Sequence, residues 1–138
     1  MNYFLILNTT DDKCIEIILA KSADNFWYKK IIGERKQSEK LLIGIEKMLI
    51  SRKVKLSQVK GIGVVTGPGG FTSVRIGVVV ANTLGFALNI PVVGIRKDEF
   101  EGNKDLIEKI LIKIRKAKKG NIVLPFYDRE PNITIKSN

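Results

Sequence analysis

One stretch in the middle of the chain limits the folds that are open to it. Residues 60–66 (KGIGVVT) are apolar almost without interruption, residues 67–70 (GPGG) break the chain sharply, and residues 71–88 are again strongly apolar. A strand without polar alternation is typical of a central parallel strand that is buried on both faces. Residues 71–88 are long enough for about five helical turns. We therefore predict a buried strand, a tight turn and a helix that needs neighbours on two sides.

The remaining elements surround this unit in a definite order. Three short runs rich in β-branched and aromatic residues precede it and predict an antiparallel meander. These strands cover residues 3–7, 13–19 and 25–32. The other elements are a helix over 37–50, a strand over 92–95, a helix over 103–119 that Gly120 ends, and a last short strand over 121–127. The order predicts an α/β fold of the ribonuclease H-like, actin-like type, with three antiparallel and further parallel strands in a mixed five-stranded sheet. We expect one domain over 1–127 and an irregular tail over 128–138.

Two of the predicted helices have more apolar positions than a sheet can cover. In the first helix, Leu41, Leu42, Ile45, Met48 and Leu49 form one stripe, whereas Ile43 and Ile50 lie on another face. The second helix is apolar on nearly every side. We predict that the surplus forms a partner interface, because such a patch promotes aggregation when it is exposed. The residues assigned to this interface are Ile43, Ile50, Phe71, Arg75, Ile76, Val79, Val80 and Thr83. Arg75 is either an anchor that pairs with a carboxylate or an ordinary surface arginine.

The composition argues against several classes of function. The chain has no histidine and one cysteine, so it lacks the commonest general base and the commonest metal ligand. We expect Cys14 to be a small buried side chain and the compartment to be the reducing cytoplasm. The start of the chain has no signal-peptide pattern, and no apolar stretch is expected to be long enough to span a membrane. The net charge of +10 favours acidic partners or a lysine-rich solvated surface.

The acidic side chains and the glycine turn do not form a convincing catalytic site. Asp11 and Asp12 have the composition of a turn, and Asp98, Glu99 and Glu101 lie in a predicted loop. We therefore predict no catalytic residue, no metal and no cofactor. The glycine turn is either a close-packing device or an anion site formed by amides at the helix start. The residues of such an anion site are Gly67, Gly69, Gly70 and Thr72.

Residues 67–77 (GPGGFTSVRIG) closely resemble the signature of the TsaB (YeaZ) family, in which a glycine-proline-glycine turn leads into Phe-Thr-x-x-Arg-Ile-Gly. Residues 62–66, 87–94, 37–42 and 124–131 support this resemblance. It implies an actin-like fold that has lost catalysis. It also implies a scaffold subunit that pairs through helices with a TsaD-like catalytic subunit, with a TsaE-like ATPase in the complex. That complex transfers a threonylcarbamoyl group to an adenosine of tRNA, so this chain would contact tRNA indirectly. A homodimer is expected when the TsaD-like subunit is absent.

The chain also departs from the family pattern. Asn8 stands where an aspartate is usual, and Gln37 stands where a histidine is usual. Residues 96–124 are all that separates the fifth predicted strand from the 125–131 segment, so most of the usual second domain is expected to be missing. Two other functions remain open, namely direct RNA binding through the basic 104–119 region and transfer chemistry on a diverged actin-like fold.

Overall fold

The structure, a computed structural model, describes residues 2–127 and contains one five-stranded sheet and three α-helices. The strands are β1 (Tyr3–Asn8), β2 (Cys14–Ser22), β3 (Asn25–Ile32), β4 (Val59–Gly67) and β5 (Val92–Arg96). The helices are α1 (Gln37–Ser51), α2 (Phe71–Leu88) and α3 (Gly102–Lys116). The sheet order is β3-β2-β1-β4-β5, in which β1 to β3 are antiparallel neighbours and β4 and β5 run parallel to β1. The predicted mixed sheet is confirmed.

The central strands are buried on both faces, which explains why their sequences lack polar alternation. Successive side chains of a strand point to opposite faces. In β1, Leu5 and Leu7 accordingly belong to the hydrophobic cluster under α1 and α2, whereas Ile6 belongs to the cluster under α3. In β4, Ile62 and Val64 join the first cluster and Val65 joins the second. The sheet therefore lies between a two-helix layer and a single helix.

Helix α2 covers the parallel half of the sheet, and one side of this long apolar helix packs on the strands. By length and composition alone this helix could cross a membrane, so the expectation that no stretch is long enough is wrong. Its inward residues are Ser73, Val74, Gly77, Val78, Val80, Ala81 and Gly85. A helix that covers the core of an α/β sheet passes the same test of length, so that test does not decide between the two environments.

Two boundaries differ from the prediction. Helix α3 ends at Lys116, because Ala117 is extended and the last buried side chain of its apolar stripe is Ile114. Residues 121–127 do not form a strand. Pro125 has no N–H to donate, and the backbone bond that joins this segment to the sheet runs from Phe126 N to Thr66 O at 2.8 Å. The predicted tail over 128–138 lies outside the described residues.

Candidate partner interface

The outer surface of the α1 and α2 layer carries several large apolar side chains. On α1, Ile43 is 50% exposed and Ile50 is 69% exposed. On α2, Val79 is 60% exposed and Phe86 is 89% exposed, and Phe71 at the helix start is exposed as well. The two helices contact each other on the same side of the sheet. We call these five side chains the α1–α2 face.

The residues that the sequence assigns to the interface differ in their exposure. Arg75 and Thr83 are exposed beside the five side chains of the face, and Ile76 is half-buried against the core. Val80 is only 8% exposed, so its assignment to an exposed face is wrong. The reason is that α2 packs on the sheet with a wide side. Consecutive helical residues lie 100° apart, and both Val80 and Ala81 are close enough to the sheet to be buried.

The sequence pattern does not identify two of the exposed apolar residues. It predicts Leu42 on the buried stripe of α1, but the side chain is exposed. The position of Glu46 could have indicated this, because it lies one turn later on the same side of the helix and a charged residue there indicates solvent. Phe86 lies on the same line as Val79 and Thr83, at spacings of four and three residues. That spacing is enough to assign Phe86 to the outer side once Val79 is placed there.

The segment 121–127 extends the α1–α2 face beyond α2. The side-chain amide of Asn82 forms two hydrogen bonds with Val123, and the rings of Phe71 and Tyr127 stack with their centres 5.3 Å apart. A cavity of about 390 Å³ between the segment and α2 is lined by side chains of both. Ile122 and Leu124 are exposed on the segment, so apolar surface continues from α2 onto it.

The guanidinium of Arg75 lies over the ring of Phe71, 5.0 Å from the ring centre. This cation–π contact holds a positive charge at the edge of the α1–α2 face. Within residues 2–127, Arg75 has no carboxylate within salt-bridge distance. The proposed anchor role therefore needs a carboxylate from outside this part of the chain, and it stays a prediction.

The glycine turn between β4 and α2 packs tightly against the turn between β1 and β2. Gly70 N donates to Thr10 O at 3.1 Å. A Cβ on Gly69 would lie 2.3 Å from Thr10 O, and a Cβ on Gly67, whose φ is +132°, would lie 2.3 Å from Phe126 O. These approaches explain Gly67 and Gly69 by close packing and backbone conformation.

The predicted anion site at the same turn has a mixed electrostatic environment. Thr72 is exposed and lines a cavity of about 530 Å³ between the starts of α1 and α2. Lys36 lines this cavity, but the acidic residues Asp12 and Glu34 line it too. Negative side chains in the same cavity oppose the binding of an anion. The anion role of Gly67, Gly69, Gly70 and Thr72 stays a prediction.

The polar groups of the first turn serve the backbone. Asn8 Oδ1 accepts hydrogen bonds from Thr10 N at 3.1 Å and from Thr10 Oγ1 at 2.7 Å. Asp11 Oδ1 accepts one from Lys13 N at 2.8 Å, and this bond lowers the pKa of Asp11. Burial raises the pKa of the Cys14 thiol, which is unfavourable for a reactive thiolate. Among residues 2–127, no three His, Cys, Asp or Glu side chains come close enough together to hold a metal ion.

The later acidic residues are likewise engaged in local structure. Asp98 Oδ1 accepts a hydrogen bond from Arg96 Nε at 3.0 Å, and Glu99 Oε2 accepts one from Arg96 N at 2.8 Å. Glu101 precedes α3 as its N-cap residue; its backbone N donates to Asp105 Oδ2 at 2.9 Å, but its own side chain forms no capping hydrogen bond. The carboxylates of Asp98 and Glu99 therefore stabilise the loop before α3.

Comparison with known proteins identifies the family. A sequence model described as "TsaD: tRNA N6-adenosine threonylcarbamoyltransferase" matches residues 31–125, well over half of the chain. The chain is also similar to two proteins named tRNA threonylcarbamoyladenosine biosynthesis protein TsaB, with 29% identity to that of Haemophilus influenzae and 34% to that of Buchnera aphidicola. The chain belongs to the TsaB (YeaZ) family and contains a TsaD-type domain.

The match to TsaB proteins covers much of this chain but a minor part of theirs. Both TsaB alignments span 66% of the chain, and they span 38% and 42% of the two relatives. The tRNA N6-adenosine threonylcarbamoyltransferase of Geotalea daltonii is 38% identical over 49% of the chain and 20% of its own length. YeaZ from Pseudomonas aeruginosa superposes with a TM-score of 0.64 at 30% identity, over 70% of this chain and 44% of that one. The fold is thus the α/β actin-like fold of this family.

The two positions at which this chain departs from the TsaB pattern have structural roles here. Gln37 is buried, and its Nε2 donates to Asp12 O at 2.8 Å and to Gly33 O at 3.4 Å. The side chain thus ties the start of α1 to the two turns beside it. Asn8 holds the first turn through its bonds to Thr10. At both positions a neutral side-chain amide forms hydrogen bonds with neighbouring turns.

Proposed function

We propose that this chain is a non-catalytic subunit in tRNA threonylcarbamoyladenosine biosynthesis, and that it pairs with a TsaD-like catalytic subunit through the α1–α2 face. The names of its TsaB relatives support the pathway. In this proposal the complex works in the cytoplasm, includes a TsaE-like ATPase, and brings the chain to tRNA indirectly. In the absence of the TsaD-like subunit, two copies of the chain pair through the same face.

The exposed apolar side chains on two neighbouring helices carry this proposal. Ile43 and Ile50 on α1 and Val79 and Phe86 on α2 are all exposed, although the sheet side of both helices is fully packed. Standard protein interfaces bury about 800 Å² on each partner, and two adjacent helices with the 121–127 segment beside them can supply such an area. Burial of these side chains stabilises a complex by the same hydrophobic effect that stabilises the core.

The non-catalytic part of the proposal is supported by the use of the acidic groups. Asp11 accepts a hydrogen bond from Lys13 N, and Asp98 and Glu99 accept hydrogen bonds from Arg96. At position 8 the chain has the neutral amide of Asn8 instead of a carboxylate. Phosphoryl and carbamoyl transfer on an actin-like fold require carboxylates that are available to bind a metal ion. Turnover of ATP by the pure chain would contradict this part of the proposal.

Acidic substitutions in the face provide the test. Val79→Glu and Ile43→Glu each place a charge where apolar contact is proposed, so capture of the TsaD homologue from the same organism should fall by at least about tenfold. Self-association of the pure chain, measured by light scattering, should fall with it. The matched control is Ile112→Glu, because Ile112 is 48% exposed on α3, on the opposite side of the sheet. Undiminished capture by folded Val79→Glu and Ile43→Glu proteins would reject the interface.

A further inference from the structure

A groove between α1 and the edge strand β3 has an unusual charge distribution. It is a cavity of about 590 Å³ whose charged lining residues are Lys29, Lys40, Lys47 and Arg52. No carboxylate lines it, although α1 carries Glu39 and Glu46 on other sides of the helix. Its volume lies within the range of about 300–1,000 Å³ that is typical of ligand sites.

The four cations of this groove are not neutralised within the described chain. In residues 2–127, none of them has a carboxylate oxygen within 4.0 Å. Three lysines of α3 differ in this respect. Lys104 pairs with Asp24 at 2.8 Å, Lys109 with Asp105 at 3.0 Å, and Lys113 with Glu99 at 3.8 Å. The four groove cations are therefore available to a ligand, whereas these three lysines of α3 are partly neutralised by their neighbours.

The cations are arranged along a line. Lys40, Lys47 and Arg52 follow α1 from its first turns to its C-cap, and a rise of 1.5 Å per residue spreads them over about 18 Å. Lys29 approaches the same groove from β3. A single small anion needs converging charges, whereas a line of charges fits a chain of phosphates.

The floor of the groove can accommodate the bases of a nucleotide chain. Ile31 and Met48 provide apolar surface, and the guanidinium of Arg52 lies 5.1 Å from the centre of the Trp27 ring. An arginine held in this way against an aromatic ring offers a flat cationic surface, and unpaired bases of RNA stack on such surfaces. An acidic peptide would use the charges but would leave this surface without a matching group.

We propose that the groove between α1 and β3 binds a single-stranded or loop segment of RNA, with the phosphates on the four cations and a base against Arg52. Taking this RNA to be tRNA rests on the proposed function, whereas the location of the groove does not. The contact would lie beside the α1–α2 face, so a chain paired with a TsaD-like subunit would hold RNA next to that subunit.

The test compares two triple variants with the same change of charge. Lys29→Gln/Lys40→Gln/Lys47→Gln alters the groove, and Lys104→Gln/Lys109→Gln/Lys113→Gln alters α3 on the opposite side of the sheet. Binding of an unmodified tRNA transcript to the full chain is measured by fluorescence anisotropy over a series of salt concentrations. The groove variant should bind at least about tenfold more weakly, and its slope of log Kd against log salt should fall by about 2, since each lost contact with a single strand contributes about 0.7.

The outcomes separate this inference from the proposed pairing. An α3 variant that loses as much affinity as the groove variant, or a wild-type chain that binds no RNA, would overturn the inference. So would binding of poly-glutamate that depends on the groove while binding of RNA does not. The groove variant should still capture the TsaD homologue, whereas Val79→Glu, whose site lies on α2 outside the groove, should lose capture and keep RNA binding. Loss of capture in Val79→Glu with unchanged RNA binding in the groove variant would therefore leave the pairing standing and remove the RNA site.

Discussion

Asn82 holds Val123 with both ends of its side-chain amide. Nδ2 donates to Val123 O at 2.8 Å, and Val123 N donates to Oδ1 at 3.0 Å. One side chain of α2 thus satisfies both backbone groups of a residue that no strand pairs with. The 121–127 segment follows α2 through this residue, and Phe126 N closes the arrangement on Thr66 O.

Replacing Asn82 should release the segment. Asn82→Ala removes both bonds, each with a net contribution of about 1 kcal/mol, and leaves the backbone of Val123 to water. Hydrogen exchange of the Val123 amide should become faster by at least about tenfold, while the amides of β4 stay protected. Thr83→Ala, one position along the exposed side of α2, is the control. Unchanged protection of Val123 in Asn82→Ala would show that other contacts hold the segment.

Neighbouring valines of α2 should differ sharply in their effect on stability. Val80 is 8% exposed in the core, and Val79 is 60% exposed on the α1–α2 face. Val80→Ala should lower the free energy of unfolding by about 2 kcal/mol through lost burial and a residual cavity. Val79→Ala should change it by less than about 0.5 kcal/mol. Urea denaturation of both proteins measures the difference, and equal losses would mean that α2 is rotated from the orientation seen here.

Gly69 should resist substitution more than the glycine next to it. A Cβ on Gly69 would lie 2.3 Å from Thr10 O and 2.8 Å from Thr10 Cα, which are backbone atoms that cannot rotate away. We expect Gly69→Ala to destabilise the protein by about 3 kcal/mol. In Gly70→Ala the nearest atom is Ser73 Oγ at 2.7 Å, a side-chain end that can turn aside, so the cost should stay near 1 kcal/mol. Thermal unfolding of the two variants distinguishes these costs.

Tyr28 should ionise at a higher pH than an ordinary tyrosine. Tyr28 is 41% exposed; its partial burial and, secondly, its hydrogen bond to Glu16 Oε1 at 2.6 Å raise the pKa of Tyr28 from 10.0 to about 12. Because the neutral phenol is favoured in the folded state, its contribution to stability is complete below pH 10 and is lost as the pH rises from 10 to about 12. A spectrophotometric titration should show a late phenolate that Tyr28→Phe removes.

The partner of Tyr28 allows the two causes to be separated. Glu16→Gln keeps an acceptor but removes the negative charge, so the pKa of Tyr28 should fall only part of the way back, since burial is the larger cause. A return to the ordinary value in Glu16→Gln would show that the carboxylate, and not burial, controls this group.

Several features of the fold could be predicted because local chemistry decides them. Helix α2 begins at Phe71 and ends at Leu88 as predicted, since the glycine turn precedes it and Asn89 adopts the left-handed conformation after it. Strand β4 is central and parallel as predicted, because a strand covered on both faces must be apolar throughout. The buried state of Cys14 also agrees with its position in a strand.

The candidate site was only partly predictable, and the errors have one cause. Periodicity identifies the outer side of a helix when its other side is polar, but α2 is apolar nearly all round. The sequence therefore could not distinguish Val80, which is in the core, from Val79, which is exposed. The prediction for Leu42 is wrong for a related reason. Leu41 and Leu42 both fit the apolar periodicity of α1, but the part of α1 that contacts the sheet is narrow and, of the two, covers only Leu41.

The order of residues by itself determined the elements, the mixed sheet and the surplus of apolar side chains on two helices, because propensity, turn chemistry and periodicity are local properties. Only the tertiary structure decided which of those side chains face outwards, since that depends on how closely α1 and α2 pack on the sheet. It also decided the course of residues 121–127, whose backbone bonds to Asn82 and Thr66 from distant parts of the chain. Likewise, the groove that joins Lys29 to Lys40, Lys47 and Arg52 exists only where β3 and α1 lie side by side.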